Sequence, residues 1–254
     1  MVRRGGEKEI TAMHSFYIDF PVDDAAMLPP EEAKHALKVL RLRRGDAVCA
    51  MDGAGRRWRS EIGDIDGGSV CVKLLEPLPD NEAPVRLTVY EGLPKADKLD
   101  LIAQKLTELG TAALVPVRMA RCVARLDGKD GDKRRERLEK IAREAAKQCG
   151  RGMPMQIAAP MDWRMALQAM AAHDLLLIPW EEAEGTRLKD VFAVNPDARD
   201  IGIVVGSEGG ITADEIDDMT AAGGRCVTLG PRILRTETAA VVSAALVMQL
   251  WGDV

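Results

Sequence analysis

The sequence predicts an α/β protein in two parts, a small β-rich domain followed by a mostly parallel sheet covered by helices. Two patterns carry this. Between residues 14 and 79 short apolar runs alternate with turn signals such as Asp52-Gly53-Ala54-Gly55 and Asp66-Gly67-Gly68. From Val85 onward, strand-like runs alternate with helical periodicities, the signature of crossover-connected parallel strands.

In the first part the expected strands are Ser15–Phe20, Ala47–Asp52, Arg56–Ile62 and Ser69–Leu75, with one helix over Glu31–Arg41. Strands at this spacing suggest a small β-barrel. Residues 1–13 are polar and are expected to form a flexible tail. The stretch from Pro77 to Pro84 holds three prolines and no periodicity, so the linker is expected there, with domains at 14–79 and 80–254.

In the second part strands are expected at Arg86–Glu91, Ala113–Val117, Leu175–Pro179, Ile201–Gly206 and Arg225–Leu229. Helices are expected at Ala96–Leu109, Asp132–Cys149, Trp163–Ala172, Ala213–Ala221 and Glu237–Trp251. In the second helix Leu138, Ile141, Ala142, Ala145, Ala146 and Cys149 form one apolar stripe, and basic residues with interspersed glutamates cover the rest. That surface reads either as a solvated helix with i,i+4 pairs or as a polyanion footprint. The last helix is apolar all round, which calls for burial on nearly every side, within a large core or against another subunit.

At 254 residues, 46% hydrophobic and 30% charged, the chain has the composition of a soluble globular protein. No apolar run reaches the ~18 residues that cross a bilayer, and Arg3 and Arg4 precede no apolar segment of a secretory signal. Five cysteines without a CxxC or Cys/His cluster indicate neither a metal site nor a disulfide framework, and fit a reducing cytoplasm. The net charge of −5 conceals a basic middle: residues 86–151 carry 16 basic and 10 acidic side chains. Polyanion binding needs such a local footprint rather than a basic pI.

Two loops carry the chemistry. Gly206-Ser207-Glu208-Gly209-Gly210 joins an apolar strand to Thr212-Ala213-Asp214-Glu215, a capping box with Thr212 as N-cap and Glu215 at N3. Strand, glycine loop and capped helix form a nucleotide entry, although one such loop is also an ordinary tight turn. It is neither GxGxxG nor a P-loop, which disfavours a dehydrogenase or an NTPase. The second loop, Leu229-Gly230-Pro231-Arg232-Ile233-Leu234-Arg235-Thr236-Glu237-Thr238, sets charged groups against the apolar last helix. Arg235 and Glu237 there either pair with each other, cap the helix, or act on a ligand.

These residues resemble the knotted SPOUT methyltransferases, and in detail the family (RsmE) that methylates N3 of a uridine in 16S ribosomal RNA. The similarity also covers His35-Ala36-Leu37-Lys38-Val39-Leu40-Arg41 with Gly45-Asp46, the segment from Lys98 to Gly110, Arg121-Cys122, and Glu144–Arg151. Where the family usually has proline this chain has Ser207, which is expected to loosen the loop. The resemblance implies a PUA-like barrel, a deep trefoil knot, a homodimer built on the last helix, and S-adenosylmethionine as cofactor without a metal. It implies cofactor contacts at Leu177, Ile178, Pro179, Gly206, Glu208, Gly209, Leu229, Gly230, Ile233, Leu234 and Thr236. Arg235 would stabilise charge on the uracil edge, with Glu237 orienting it or acting as base. The implied partner is 16S rRNA in the small ribosomal subunit, met by Lys34, Lys38, Arg41, Arg43 and Arg44 of the barrel with Gln104, Lys105, Arg121, Arg143, Lys147, Gln148 and Arg151. A ribose methyltransferase and a non-catalytic RNA-binding module remain the competing readings.

Overall fold

A computed structural model of the protein describes residues 13–19, 21–95, 97–123 and 128–254. The expected tail lies almost wholly outside the described residues, as do Phe20 and Ala96 of two expected elements. The chain forms two units, one running up to Glu82 and including Glu144–Pro154, the other comprising Ala83–Arg143 and Met155–Val254.

In the first unit, β1 (His14–Tyr17), β2 (Ala25–Met27), β3 (Ala47–Met51), β4 (Arg57–Asp66) and β5 (Ser69–Pro77) form one sheet in the order β1-β3-β4-β5-β2. Beyond β1, the Asp19 N–H donates to Met27 O at 3.3 Å, so the chain leaving one edge strand meets the other. Phe16, Val48, Ala50, Ile62, Val70 and Val72 fill the core. The expected helix divides. Pro30 presets φ at the start of α1 (Pro30–Lys34), and the chain then widens into a π-turn over His35–Val39, with Leu40 N–H reaching back to His35 O. Arg41 sits at φ 57°, which stops the helix.

Among its described residues the second unit holds seven strands, all paired in parallel. They are β6 (Arg86–Gly92), β7 (Ala113–Arg118), β8 (Gln156–Ile157), β9 (Met161–Asp162), β10 (Leu175–Pro179), β11 (Asp200–Val205) and β12 (Arg225–Val227). The order is β12-β10-β11-β6-β7-β8, with β9 also on β7. Both faces are buried, as parallel sheets require. Leu177 enters one core with Leu87, Val89, Ile201 and Ile203, while Leu176 and Ile178 enter the other with Val115, Val117 and Val204.

The helices are α2 (Lys98–Glu108), α3 (Gly128–Cys149), α4 (Trp163–Met170), α5 (Leu188–Val194), α6 (Ala213–Ala221) and α7 (Thr236–Trp251). In α3 the predicted stripe is buried at Leu138, Ala142, Ala145 and Ala146. Of its basic face, Arg134 pairs with Asp100 at 3.1 Å, Arg137 Nε donates to Asp100 at 2.9 Å, and Arg135 pairs with Glu139 at 3.3 Å. Helix α7 buries Ala240, Ala244, Val247, Met248 and Trp251 against the sheet side, whereas Val241, Val242, Ala245 and Leu246 remain half-buried. The expectation of burial on nearly every side is therefore not met within one chain.

Candidate functional site

Three neighbouring strands, β12, β10 and β11, end at one edge of the sheet, and the segments leaving them enclose a cavity of about 410 Å³. Carboxyl ends of parallel strands are where open α/β sheets bind ligands. The cavity is lined by Pro179 at the end of β10 and Trp180 after it, by Gly206, Ser207 and Glu208 after β11, and by Thr228–Gly230 and Arg232–Thr236 after β12.

The first loop is closed by Gly210 N–H donating to Ser207 O at 2.9 Å, with Gly210 at φ 73°. Its exit is fixed by the predicted capping box: Glu215 N–H donates to Thr212 Oγ1, and Thr212 N–H donates to Glu215 Oε2. The other oxygen of Glu215 accepts the Ala120 N–H at 2.8 Å, tying the loop to the end of β7. A Cβ on Gly206 would lie 2.8 Å from Ile211 Cγ1 and 2.9 Å from Gly210 C, so the tight path needs glycine there. Ser207 is buried, and its hydroxyl makes long contacts of 3.4 Å to Arg121 O and Gly209 N. In the second loop Gly230 has φ 113°, with open space where a Cβ would project, so the backbone itself faces the cavity.

Most of the predicted cofactor residues come together at this cavity: Pro179, Gly206, Glu208, Leu229, Gly230, Ile233, Leu234 and Thr236. Leu177 and Ile178 do not. They are fully buried in the two cores, because strand alternation points them to opposite sheet faces before the chain reaches the edge. Gly209 also lies outside the lining, packed against Arg121.

Arg235 is exposed, lines the cavity, and forms no hydrogen bond or ion pair among the described residues through its side chain. Glu237 pairs not with Arg235 but with Lys98 at 3.3 Å. Lys98 is a residue of this site that the two loops alone do not reveal. It lies in α2, more than a hundred residues before the loops, and reaches Glu208 at 2.8 Å as well. Glu208 further accepts the Lys95 N–H at 3.1 Å. Burial opposes the Glu208 charge, but the hydrogen bonds from Lys98 and from backbone N–H groups outweigh it and hold the carboxyl below the usual carboxylate range. The same bond to Glu208 leads the causes that raise Lys98 above the usual lysine value.

A pH dependence follows. A depressed carboxylate adds stability above its unfolded pKa of about 4.3, lost as pH falls; a raised lysine adds stability below about 10.4, lost as pH rises. Lys98→Met should therefore lower the Tm most between these limits, with the gap to wild type closing only as pH falls below about 4, through the depressed Glu208 value. A Tm gap that stays constant through acid would contradict this linkage.

The predicted RNA-facing residues divide. Lys34, Lys38, Arg41, Arg43, Arg44, Gln104, Arg143 and Gln148 are exposed. Lys105 pairs with Glu108 at 2.9 Å, and Arg121 Nη1 donates to Gly209 O at 3.1 Å, bracing the glycine loop. Lys147 and Arg151 are engaged in ion pairs within the chain. Lys147, 10% exposed, pairs with Glu32 at 3.0 Å and Glu144 at 2.7 Å. Arg151 is buried; its Nε and Nη2 donate to Glu82 Oε2 at 3.0 and 2.6 Å. Removing one member of such a buried pair leaves an uncompensated charge, so Arg151→Met should destabilise by roughly 3 kcal/mol in urea unfolding. Unchanged stability with a selective loss of RNA affinity would restore Arg151 to the RNA surface.

Comparison with known proteins follows the same lines. A sequence family described as the RNA methyltransferase domain matches residues 81–248, and one described as the RNA methyltransferase PUA domain matches residues 28–75. The chain is 36% identical over 214 residues to a protein of Bacillus subtilis named ribosomal RNA small subunit methyltransferase E, covering 82% of this chain and 84% of that one. It is 35% identical to the protein of the same name from Mycobacterium bovis, covering 91% and 90%. Among solved structures, the protein of that name from Neisseria gonorrhoeae, bound to S-adenosyl methionine, superposes with a TM-score of 0.84 at 31% identity, covering 95% of this chain and 99% of that one.

Proposed function

The chain belongs to the ribosomal RNA small subunit methyltransferase E family, and on that premise we propose that it methylates N3 of a uridine in 16S ribosomal RNA, with S-adenosylmethionine as donor. The single observation that carries the reading is the backbone-lined cavity at the ends of β10, β11 and β12, with Arg235 in its lining and without a side-chain partner among the described residues. Its volume lies in the range of small-molecule sites, and the open space beside Gly230 suits close approach of a ligand to main chain.

The bound donor supplies a methyl group already activated as a sulfonium, so no metal is needed for the transfer. The reaction breaks the S–CH₃ bond and forms N3–CH₃, while the N3 proton leaves to a base. The protein's part is alignment and charge placement. The two loops would hold the donor, and Arg235 would stabilise the negative charge that grows on the uracil edge as the proton departs. Glu237, held by Lys98 3.3 Å away, orients the acceptor or takes the proton.

The finer architecture belongs to this reading. The trefoil knot is supported by the return of the 229–236 segment beside the Gly206 loop, where Thr236 meets Gly206 O. The homodimer is supported by the half-buried apolar face of α7 at Val241, Val242 and Ala245. RNA contacts fall to the exposed basic residues, Lys34, Lys38, Arg41, Arg43 and Arg44 in one unit and Arg143 in the other. Domains at 14–79 and 80–254, a cytoplasmic location and the small ribosomal subunit as substrate complete the proposal; no helix among the described residues is long and apolar enough to cross a membrane.

Calorimetric titration with S-adenosylmethionine tests the donor assignment. One donor bound per chain is the expected result, and absence of binding would contradict it.

A further inference from the structure

Glu91, near the end of β6, is fully buried, and the transfer chemistry above makes no use of it. Its Oε1 lies 2.5 Å from Thr236 Oγ1, which lies 2.7 Å from Gly206 O. A threonine hydroxyl has one proton, and an ionised carboxylate and a peptide carbonyl are both acceptors only. With Glu91 charged, that one proton would face two acceptors, and one close oxygen–oxygen contact would be unbonded. The second carboxyl oxygen, Oε2, is buried without a hydrogen-bond partner among the described residues, a costly place for a charge.

We propose that Glu91 is a neutral carboxylic acid that donates its O–H to Thr236 Oγ1 while Thr236 donates to Gly206 C=O, a two-bond relay that latches the first turn of α7 to the end of β11 and positions both pocket loops. The relay joins three segments remote in sequence, and two of its three members line the cavity. The charged groups facing Glu91 are Glu208 of the glycine loop, Glu237 of α7 and Lys98 of α2. Burial first, then the two glutamates, push the Glu91 carboxyl well above the usual carboxylate range; the Thr236 bond and Lys98 oppose them without prevailing. Glu91 is a positioning residue, and this role deepens the cofactor-site reading, on which it rests for its effect on binding.

The test compares wild type with Glu91→Gln and Glu91→Leu, in unfolding between pH 5 and 9 without ligand and in calorimetric binding of S-adenosylmethionine. An unfolded glutamate ionises near pH 4.3 while the folded one keeps its proton, so wild-type stability is complete below that pH and falls above it. The folding constant drops about tenfold per pH unit until the folded group ionises. Glutamine has no such slope but can still donate to Thr236. Glu91→Gln should therefore gain on wild type as pH rises; wild type gaining on the glutamine variant would mean a charged Glu91 and overturn the relay. In binding, Glu91→Leu should weaken affinity by roughly tenfold, the worth of one lost hydrogen bond with its partner left unpaired, and Glu91→Gln should restore it. Equal affinities of the two variants would overturn the positioning role. If the leucine variant does not fold, Glu91→Met, closer to glutamate in length and equally unable to donate, makes the same comparison against Glu91→Gln. Should wild type bind no S-adenosylmethionine, the donor assignment fails, while the ligand-free pH comparison still decides the protonation of Glu91.

Discussion

Replacing Arg235 with alanine is expected to slow single-turnover methyl transfer by roughly 100- to 1,000-fold, the usual effect of deleting one group aimed at charge developing in a transition state. The affinity for S-adenosylmethionine should change little. The argument rests on where the guanidinium stands. It stands in the second loop at the N-cap of α7, lines the cavity, and has no side-chain partner among the described residues that would claim it for the fold. The main chain at Arg235 does structural work through its carbonyl, which accepts Ala239 N–H at 2.8 Å, and alanine preserves that bond. Rapid-quench transfer at saturating donor and RNA separates the alternatives. A fall in rate at unchanged donor affinity places Arg235 on the acceptor side, whereas lost donor affinity with a normal rate would make it a cofactor-binding group.

Gly206→Val is expected to weaken donor binding by roughly ten- to a hundredfold, matching the 1–3 kcal/mol typical of overpacking. The first added carbon already lies 2.8 Å from Ile211 Cγ1 and 2.9 Å from the Gly210 carbonyl carbon, and the latter is backbone that cannot rotate away. The loop must shift, and with it Gly206 O, the acceptor for Thr236 at 2.7 Å. One displacement thus disturbs both walls of the cavity. Calorimetry on the folded variant checks it; binding within threefold of wild type would show that the loop path is less constrained than its contacts indicate.

The parallel sheet, the two loops and the capping box were legible because each is written locally. Thr212 and Glu215 stand three residues apart and satisfy each other's backbone groups, a pattern visible without tertiary knowledge. Strands β2, β8 and β9, of two or three residues each, are too short to show a period, and α5 is only seven residues long. Lys98 and Glu91 could not be assigned from the loops, because sheet order rather than sequence brings them there: β6 pairs with β11 from Arg86↔Asp200 to Glu91↔Val205. Leu177 and Ile178 show the opposite limit, since a resemblance carries a segment to a site without saying which residues point into the core. Lys147 and Arg151 read as a basic surface until Glu32 and Glu82 claimed them.

The most direct test of the central claim is nucleoside mass spectrometry of small ribosomal subunits lacking the modification, after incubation with the protein and labelled S-adenosylmethionine. The account predicts label in N3-methyluridine at a single site. Label in a ribose-methylated nucleoside would contradict the assigned acceptor, and absence of any labelled nucleoside despite tight donor binding would contradict the assignment of this RNA as substrate.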